Sequence, residues 1–322
     1  MVRSILGIAA FTAAAAASGQ TAPPTGTPLQ QGSIDRTTQT EDVHFRNDDQ
    51  DRMTVPVQLA GSSTYQFLVD TAADRSAISR AIVQKFNFST ASKAELHSLT
   101  GVSNVTTARV PSIAVTRKLD SNVEAAVLDS ANMGADGIVG SDLLMGQRVE
   151  FDFANRTMSV VPSSAPDIAE EPGSIVIRAK RKNGRLIVTD AEAAGQRTTM
   201  VLDTGAEISI GNEALHRRLL ASGASDAGHD FKLYSVTGSM ISGDYMVIPK
   251  LTAGGVTIAN VPVVFVDAHT FKQLKLDQKP ALLLGMSAIR AFKKVSIDFA
   301  NRSFRVVLPE HSALETRLAF AG

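Results

Sequence analysis

Apolar and polar positions alternate along this chain in short runs punctuated by glycine-rich turns, the period of β-strands rather than helices. In Met53-Thr54-Val55-Pro56-Val57-Gln58-Leu59 every second residue is apolar, Ala60-Gly61-Ser62-Ser63 supplies a turn, and Thr64 to Val69 completes a hairpin. Gly184 to Ala191, a turn near Gly195 and Thr198 to Leu202 predict a second one. The returning strands end in unbroken apolar runs, Phe67-Leu68-Val69 and Met200-Val201-Leu202, which mark strands covered on both faces. An acid follows each run at once, in Asp70-Thr71-Ala72-Ala73 and Asp203-Thr204-Gly205-Ala206. A short helix fits after each acidic loop, N-capped by Ser79 or Asn212, with Gly223 closing the second.

The two acidic loops belong to a longer repeat. Leu99-Thr100-Gly101 returns as Val236-Thr237-Gly238, Ile138-Val139-Gly140-Ser141 as Leu283-Leu284-Gly285-Met286, and Asp152-Phe153-Ala154-Asn155-Arg156 as Asp298-Phe299-Ala300-Asn301-Arg302. The order is kept while the offset grows from 133 at the acids (203 − 70) to 146 at the last pair (298 − 152). The second copy therefore carries extra loop residues, placed mostly between Asp267 and Pro280, where a surface insertion costs little. The Asp-Phe-Ala-Asn-Arg segments predict hairpins turning at Asn155 and Asn301, with Asp152 and Asp298 as solvated or turn-stabilising acids. The expectation is a duplicated, mostly β architecture.

Composition narrows the classes. Lys+Arg and Asp+Glu both number 32, so the formal charge is zero, and no basic run stands out; nucleic acid and anionic membrane are poor partners. There is no cysteine, which excludes disulfides, thiolate metal sites and a cysteine nucleophile. The six histidines show no paired ligand spacing, so neither a metal nor a cofactor is expected. Arg3, an apolar stretch from Ile5 to Ala17 and small residues through Gly19 read as an export signal over 1–19, too short to span a bilayer; the mature protein is expected in the periplasm or secreted, with no membrane span. Polar, proline-bearing sequence over 20–52 reads as a flexible leader and that over 162–173 as a linker, which leaves lobes at 53–161 and 174–309 and a tail at 310–322.

An acid at the end of a buried strand is partly desolvated, and a small residue two positions later lets the backbone turn sharply. Thr71 and Thr204 can tie one loop to the other by their hydroxyls. If the duplication sets the loops face to face, Asp70 and Asp203 share one proton and can act together as general base and general acid on a water and a peptide carbonyl.

These motifs resemble the aspartic proteases of the retropepsin and pepsin clan. Two Asp-Thr-(Gly/Ala)-Ala loops, each followed by an apolar-apolar-Gly element, carry the resemblance, which spans about Met53 to Leu308. It implies a bilobal all-β acid-protease fold, two homologous β-barrel-like lobes with the active site between them, in a single chain that works as a monomer. It implies further that Asp70 and Asp203 are the catalytic dyad, that Thr71 and Thr204 interlock beneath it with Ala72 and Gly205 in support, and that Gly140 and Gly285 are packing glycines under the site. The substrate would be an extended peptide or protein segment, covered by flaps tipped at Thr100-Gly101 and Thr237-Gly238.

The chain departs from that pattern in two places. Alanine stands at 72 where the family has glycine, so a methyl group lies near the acid. Ser141 and Met286 stand where retroviral enzymes place an arginine that pairs with an acid, so Asp74 and Glu207 must find other partners. His97 and Tyr234 share the flap offset of 137 (234 − 97), without an assigned role. Ala72 motivates a second reading, a peptide-binding or inhibitory protein that keeps the cleft without the chemistry; a third is a purely structural duplicated β protein.

Overall fold

The computed structural model describes residues 53–61, 64–115, 118–164, 174–182, 185–224 and 230–309, and four short strands before residue 48 as backbone alone. Those strands apart, the export signal, leader, most of the linker and the tail lie outside the described residues. The architecture is mainly β, in two similar lobes. Each lobe holds a nine-stranded sheet, that of the second completed by the short strand Thr12–Ala13, and both halves contribute to a third sheet of six strands.

In the first lobe, Met53–Leu59 and Thr64–Val69 form the expected hairpin, with Val55 opposite Phe67. In the second, Arg185–Ala193 and Gln196–Leu202 do the same around a turn at Ala194-Gly195, both at positive φ. The apolar-apolar-Gly elements explain why the returning strands lack polar positions. Gly137–Val139 is wedged between Thr64–Val69, parallel, and Ala77–Ser79, antiparallel. Ala281–Leu284 is wedged likewise between Gln196–Leu202 and Ser209–Gly211. A strand flanked on both edges and covered on both faces has no place for a polar side chain.

The acidic-loop helices follow as predicted. Ser79 caps Arg80–Lys85 by accepting from the Ile82 N–H at 3.3 Å, and Asn212 caps Glu213–Ala221 through the Leu215 N–H at 2.9 Å. Asn212 Nδ2 also donates to the carbonyls of Leu276 and Lys279, which ties the insertion to the lobe. That insertion is more than the surface loop expected: it holds a helix, His269–Gln273, with Phe271 and Leu274 buried.

The repeated Asp-Phe-Ala-Asn-Arg hairpins join the halves. Gln147–Asp152 pairs antiparallel with Lys294–Asp298, Glu150 opposite Ser296, at the middle of the six-stranded sheet. Their turns place Arg156 and Arg302 at positive φ, and Asp152 and Asp298 each accept hydrogen bonds from the backbone and side chain of Asn155 or Asn301. Both acids stabilise turns as expected, but they are buried rather than solvated, because the paired hairpins cover each other. One apolar cluster, with Phe67, Val69, Phe151, Leu202, Ile297 and Phe304, runs through both lobes beneath this sheet. At about 2–3 kcal/mol for each fully buried large apolar side chain, it fixes the two acidic loops relative to each other.

Candidate active site

Val69 and Leu202 deliver Asp70 and Asp203 to the interface between the lobes, and both acids are fully buried. Their backbone N–H groups donate to Val139 and Leu284, 3.0 Å away in each case, so each loop starts from its own apolar-apolar-Gly strand. Asp70 Oδ1 accepts from the N–H groups of Ala72 at 2.8 Å and Ala73 at 2.9 Å; Asp203 Oδ1 accepts from Gly205 N–H at 3.1 Å. The other oxygen of each carboxyl, Oδ2, is buried and bonded to no protein group.

The threonines lock the loops together across the two-fold axis. Thr71 N–H donates to Thr204 Oγ1 at 3.0 Å, and Thr204 N–H to Thr71 Oγ1 at 3.2 Å. Each hydroxyl then donates onward, Thr71 to the Leu202 carbonyl at 3.1 Å and Thr204 to that of Val69 at 2.6 Å. Every donor of the lock is used, and the carbonyls it reaches are those just before the two acids.

The loops approach so closely that Gly205 has no room for a side chain: a Cβ there would lie 2.4 Å from Asp70 Cγ and 2.5 Å from its Oδ2. The Asp70 carboxyl thus rests on the loop of Asp203. Burial raises the pKa of both acids, and the negative charge of Asp203 raises Asp70 further. Two buried carboxyls side by side cannot both ionise, so the pair holds a proton near neutrality.

Ala72 is buried, with its methyl in an apolar cluster that includes Ile187, Ile208 and Leu99. Gly140 and Gly285 lie hard against neighbouring backbone. A Cβ on either would fall 2.6–2.7 Å from the backbone of Arg75 or Ile208, and their N–H groups donate to the hydroxyls of Ser76 and Ser209.

Asp74 and Glu207 do find other partners. Arg290, five residues after Gly285, reaches Glu207 at 3.5 Å within its own lobe. Asp74 meets Arg185 of the opposite lobe, whose Nη2 lies 3.7 Å from Oδ2. Arg185 is fully buried, and its Nε donates to the Ala72 carbonyl at 2.7 Å. Its charge lowers Asp70, Asp74 and Asp203 against the larger effect of burial, which still pushes Asp74 up to about 7. Sequence reasoning missed this residue. The signal was its place at the head of a strand, directly before the apolar Leu186-Ile187-Val188 and 18 residues before Asp203, where Arg52 stands 18 before Asp70 (203 − 185; 70 − 52).

The two segments expected to act as flaps are hairpins. Thr90–Ser98 and Gly101–Val115 form the first, and Asp230–Tyr234 and Met240–Ala253 the second. Their tips cross to opposite lobes. Leu99 is buried among Ile208, Val266, Ala268 and Phe271 of the second lobe. Val236 is buried among Leu68, Ala73, Leu128 and Met133 of the first. Thr100 and Gly101 form the first turn, while Thr237 and Gly238 form the second, which abuts Asn132. Among the described residues no three His, Asp or Glu side chains gather where they could hold a metal, and no helix is long and apolar enough to cross a membrane.

A family model described as aspartyl protease matches this chain twice, over residues 55–143 and 189–288, more than half its length and once in each lobe. No curated protein matches it.

Proposed function

The chain belongs to the aspartyl protease family, and we propose that it is an active aspartic endopeptidase whose dyad is Asp70 and Asp203. The observation that carries this reading is the pair of carboxyls itself: Oδ1 of each is pinned by loop N–H groups, Oδ2 of each is bonded to no protein group, and burial favours one shared proton. In that state the ionised acid takes a proton from a water as the water attacks the scissile carbonyl. The protonated partner gives its proton to the carbonyl oxygen, and the tetrahedral product collapses when the leaving nitrogen takes a proton back. Neither a covalent intermediate nor a metal enters these steps.

The substrate is an extended peptide admitted when the flaps lift, held by strand-like backbone hydrogen bonds. The protein acts as a monomer outside the cytoplasm, on the strength of its duplicated lobes and its N-terminal signal pattern. Alanine at 72 is compatible with activity, because its methyl has its own apolar surroundings. Asp70→Asn and Asp203→Asn are each expected to abolish cleavage of a diverse peptide mixture, read by mass spectrometry as new termini, while leaving thermal unfolding cooperative. Undiminished cleavage by either variant rejects the mechanism; binding without new termini in the parent chain favours a non-catalytic peptide binder.

A further inference from the structure

The first flap is held down by more than its apolar tip. Two imidazoles from opposite lobes meet beside it: His97, on the first arm of the hairpin, and His269, at the start of the helix His269–Gln273. Their rings lie near-parallel and edge to edge, centroids 5.2 Å apart with an interplanar angle of 17°, and His97 Nδ1 lies 2.9 Å from His269 Nε2. One turn of chain away, the His269 backbone N–H donates to the carbonyl of Leu99, the residue buried at the flap tip, at 2.8 Å. The same short helix therefore holds both the side chain and the backbone of the flap.

We propose that the His97–His269 contact is a proton-operated latch, which keeps the first flap shut over the two acids at neutral pH and releases it on mild acidification. The inference rests on the peptidase reading for its purpose, but not for its physics. An N···N contact of this length needs one nitrogen with a hydrogen and one without. The neutral pair satisfies it, and so does the pair with a single added proton. With both rings protonated the two facing nitrogens each carry a hydrogen and a positive charge, and the contact becomes repulsive.

The charged groups on the elements packed there are Lys93 and Glu95 on the His97 strand, Arg109 on the second arm, Lys272 on the helix and Asp267 just before it. Lys272 pairs with Asp267 at 2.7 Å. Burial first, then His97 and Lys272, hold the His269 pKa below its ordinary value. A lowered histidine pKa in the shut form means that opening takes up a proton. Shut is favoured above the ordinary imidazole range, near 6.5, and loses ground as pH falls below it.

The second flap lacks the device: Tyr234 stands at the position related to His97 by the offset of 137 (97 + 137), and neither arm of that hairpin, Asp230–Tyr234 or Met240–Ala253, carries a histidine. Acid would thus free one flap and leave the other.

Because the chain has neither cysteine nor tryptophan, Val102→Cys on the half-exposed flap gives a unique site for a trifluoromethyl tag. The fluorine spectrum of this chain, carrying Asp70→Asn against self-cleavage, is followed from about pH 8 to about pH 5, the window in which imidazole titrates. The expected result is a shut-to-open ratio falling by up to about tenfold per pH unit for each proton taken up on opening. The double variant His97→Gln/His269→Gln keeps two amides able to bond and removes both imidazoles, and its ratio is expected to stay flat. The single His97→Gln removes the partner's charge but keeps the burial that lowers His269, so its response is expected to be shallower than the parent's. The buried acids Asp203 and Asp74, both near 7, still titrate in all of these chains, so a pH response that survives in the double glutamine variant belongs to them and overturns the latch. A flap whose spectrum ignores pH in the His97/His269 chain overturns it too. The readout needs no turnover: a flap that responds in a chain that cleaves nothing keeps the latch and sinks the peptidase reading, and a peptidase with an unresponsive flap does the reverse.

Discussion

Ala72 and Gly205 occupy equivalent places in the repeat (72 + 133 = 205), yet the geometry predicts opposite tolerance to a methyl group. In Gly205→Ala the new Cβ would lie 2.4 Å from Asp70 Cγ and 2.9 Å from Oδ1, against an ordinary contact of about 3.5–4.0 Å. One side must yield by more than about 1 Å. The carboxyl is not a loose end that can swing aside, because its Oδ1 is held by Ala72 and Ala73 N–H groups at 2.8 and 2.9 Å. The Gly205 backbone is fixed by the neighbouring threonine lock. Losing two hydrogen bonds to a charged or proton-sharing acid costs about 1.5–3 kcal/mol each, so a net loss of about 2–4 kcal/mol is expected after partial relaxation. A reacting group displaced by about 1 Å also costs about 100-fold in rate. Ala72→Gly, by contrast, removes one buried methyl and adds unfolded-state entropy, about 1–2 kcal/mol together, and is expected to keep cleavage. Denaturant unfolding and peptide turnover measured on both variants test the asymmetry. Gly205→Ala with parental stability and turnover would show that the Asp70 carboxyl does not rest on the opposite loop, and the shared-proton argument would fall with it.

Two further outcomes follow from the buried charges. Arg185→Met fills similar volume but leaves the Ala72 carbonyl without its donor and Asp74 without its cation; breaking such a buried pair costs about 3–5 kcal/mol, reduced here because Asp74, already near 7, can take a proton. Removing that positive charge also raises the dyad further, so the pH profile of cleavage should move to higher pH; a profile that does not move counts against the field assigned to Arg185. Stability should itself depend on pH. Burial raises Asp70, Asp74, Asp142 and Asp203, so the folded chain holds their protons more tightly than an unfolded one with carboxyls near 3.9. Their contribution is full below about pH 4 and is lost as pH rises through the raised values, about 7 for Asp74 and Asp203, by up to about 1.4 kcal/mol per pH unit for each group. Thermal unfolding should occur at higher temperature at about pH 5 than at about pH 8, and the reverse order would contradict the assigned shifts.

The fold was readable because its repeat is written in local chemistry. An alternating run, a turn and an unbroken apolar run identify each hairpin, and the acid that ends it fixes where the loop begins. The pair of buried acids, the interlocked threonines and the closely packed glycines could be named from the same residues, since duplication supplies the symmetry that pairs them. What could not be read is contact between elements far apart in the chain. Nothing in Asp152-Phe153-Ala154 says that its strand will pair with Lys294–Asp298, so the burial of Asp152 was out of reach. Arg185 begins a strand, and only the meeting of lobes shows it facing Asp74. His97 could be matched to Tyr234 by offset, but its partner His269 lies in the inserted segment and on the other lobe.

The arginine and the histidine pair have a common origin in the single chain. A site assembled from two identical subunits must carry every feature twice, so a substitution that helps on one side is also imposed on the other. Here each position is encoded once, and the halves have diverged while keeping the acids and the lock. Glycine survives at 205, where the approach of Asp70 demands it, and alanine stands at 72, where a methyl finds apolar neighbours. An arginine spans the lobes to Asp74, while Glu207 is served from within its own lobe. Opening also need not be symmetric. Lifting Leu99 alone exposes one large aliphatic side chain, about 1.5–3 kcal/mol, whereas lifting Leu99 and Val236 together costs nearly twice that. Each 1.4 kcal/mol is a factor of ten in the open population, and substrate affinity falls by the same fraction. A chain that unlatches one flap can therefore admit a peptide at much smaller cost than a symmetric pair of flaps, and the lone histidine pair lies beside the flap that would move.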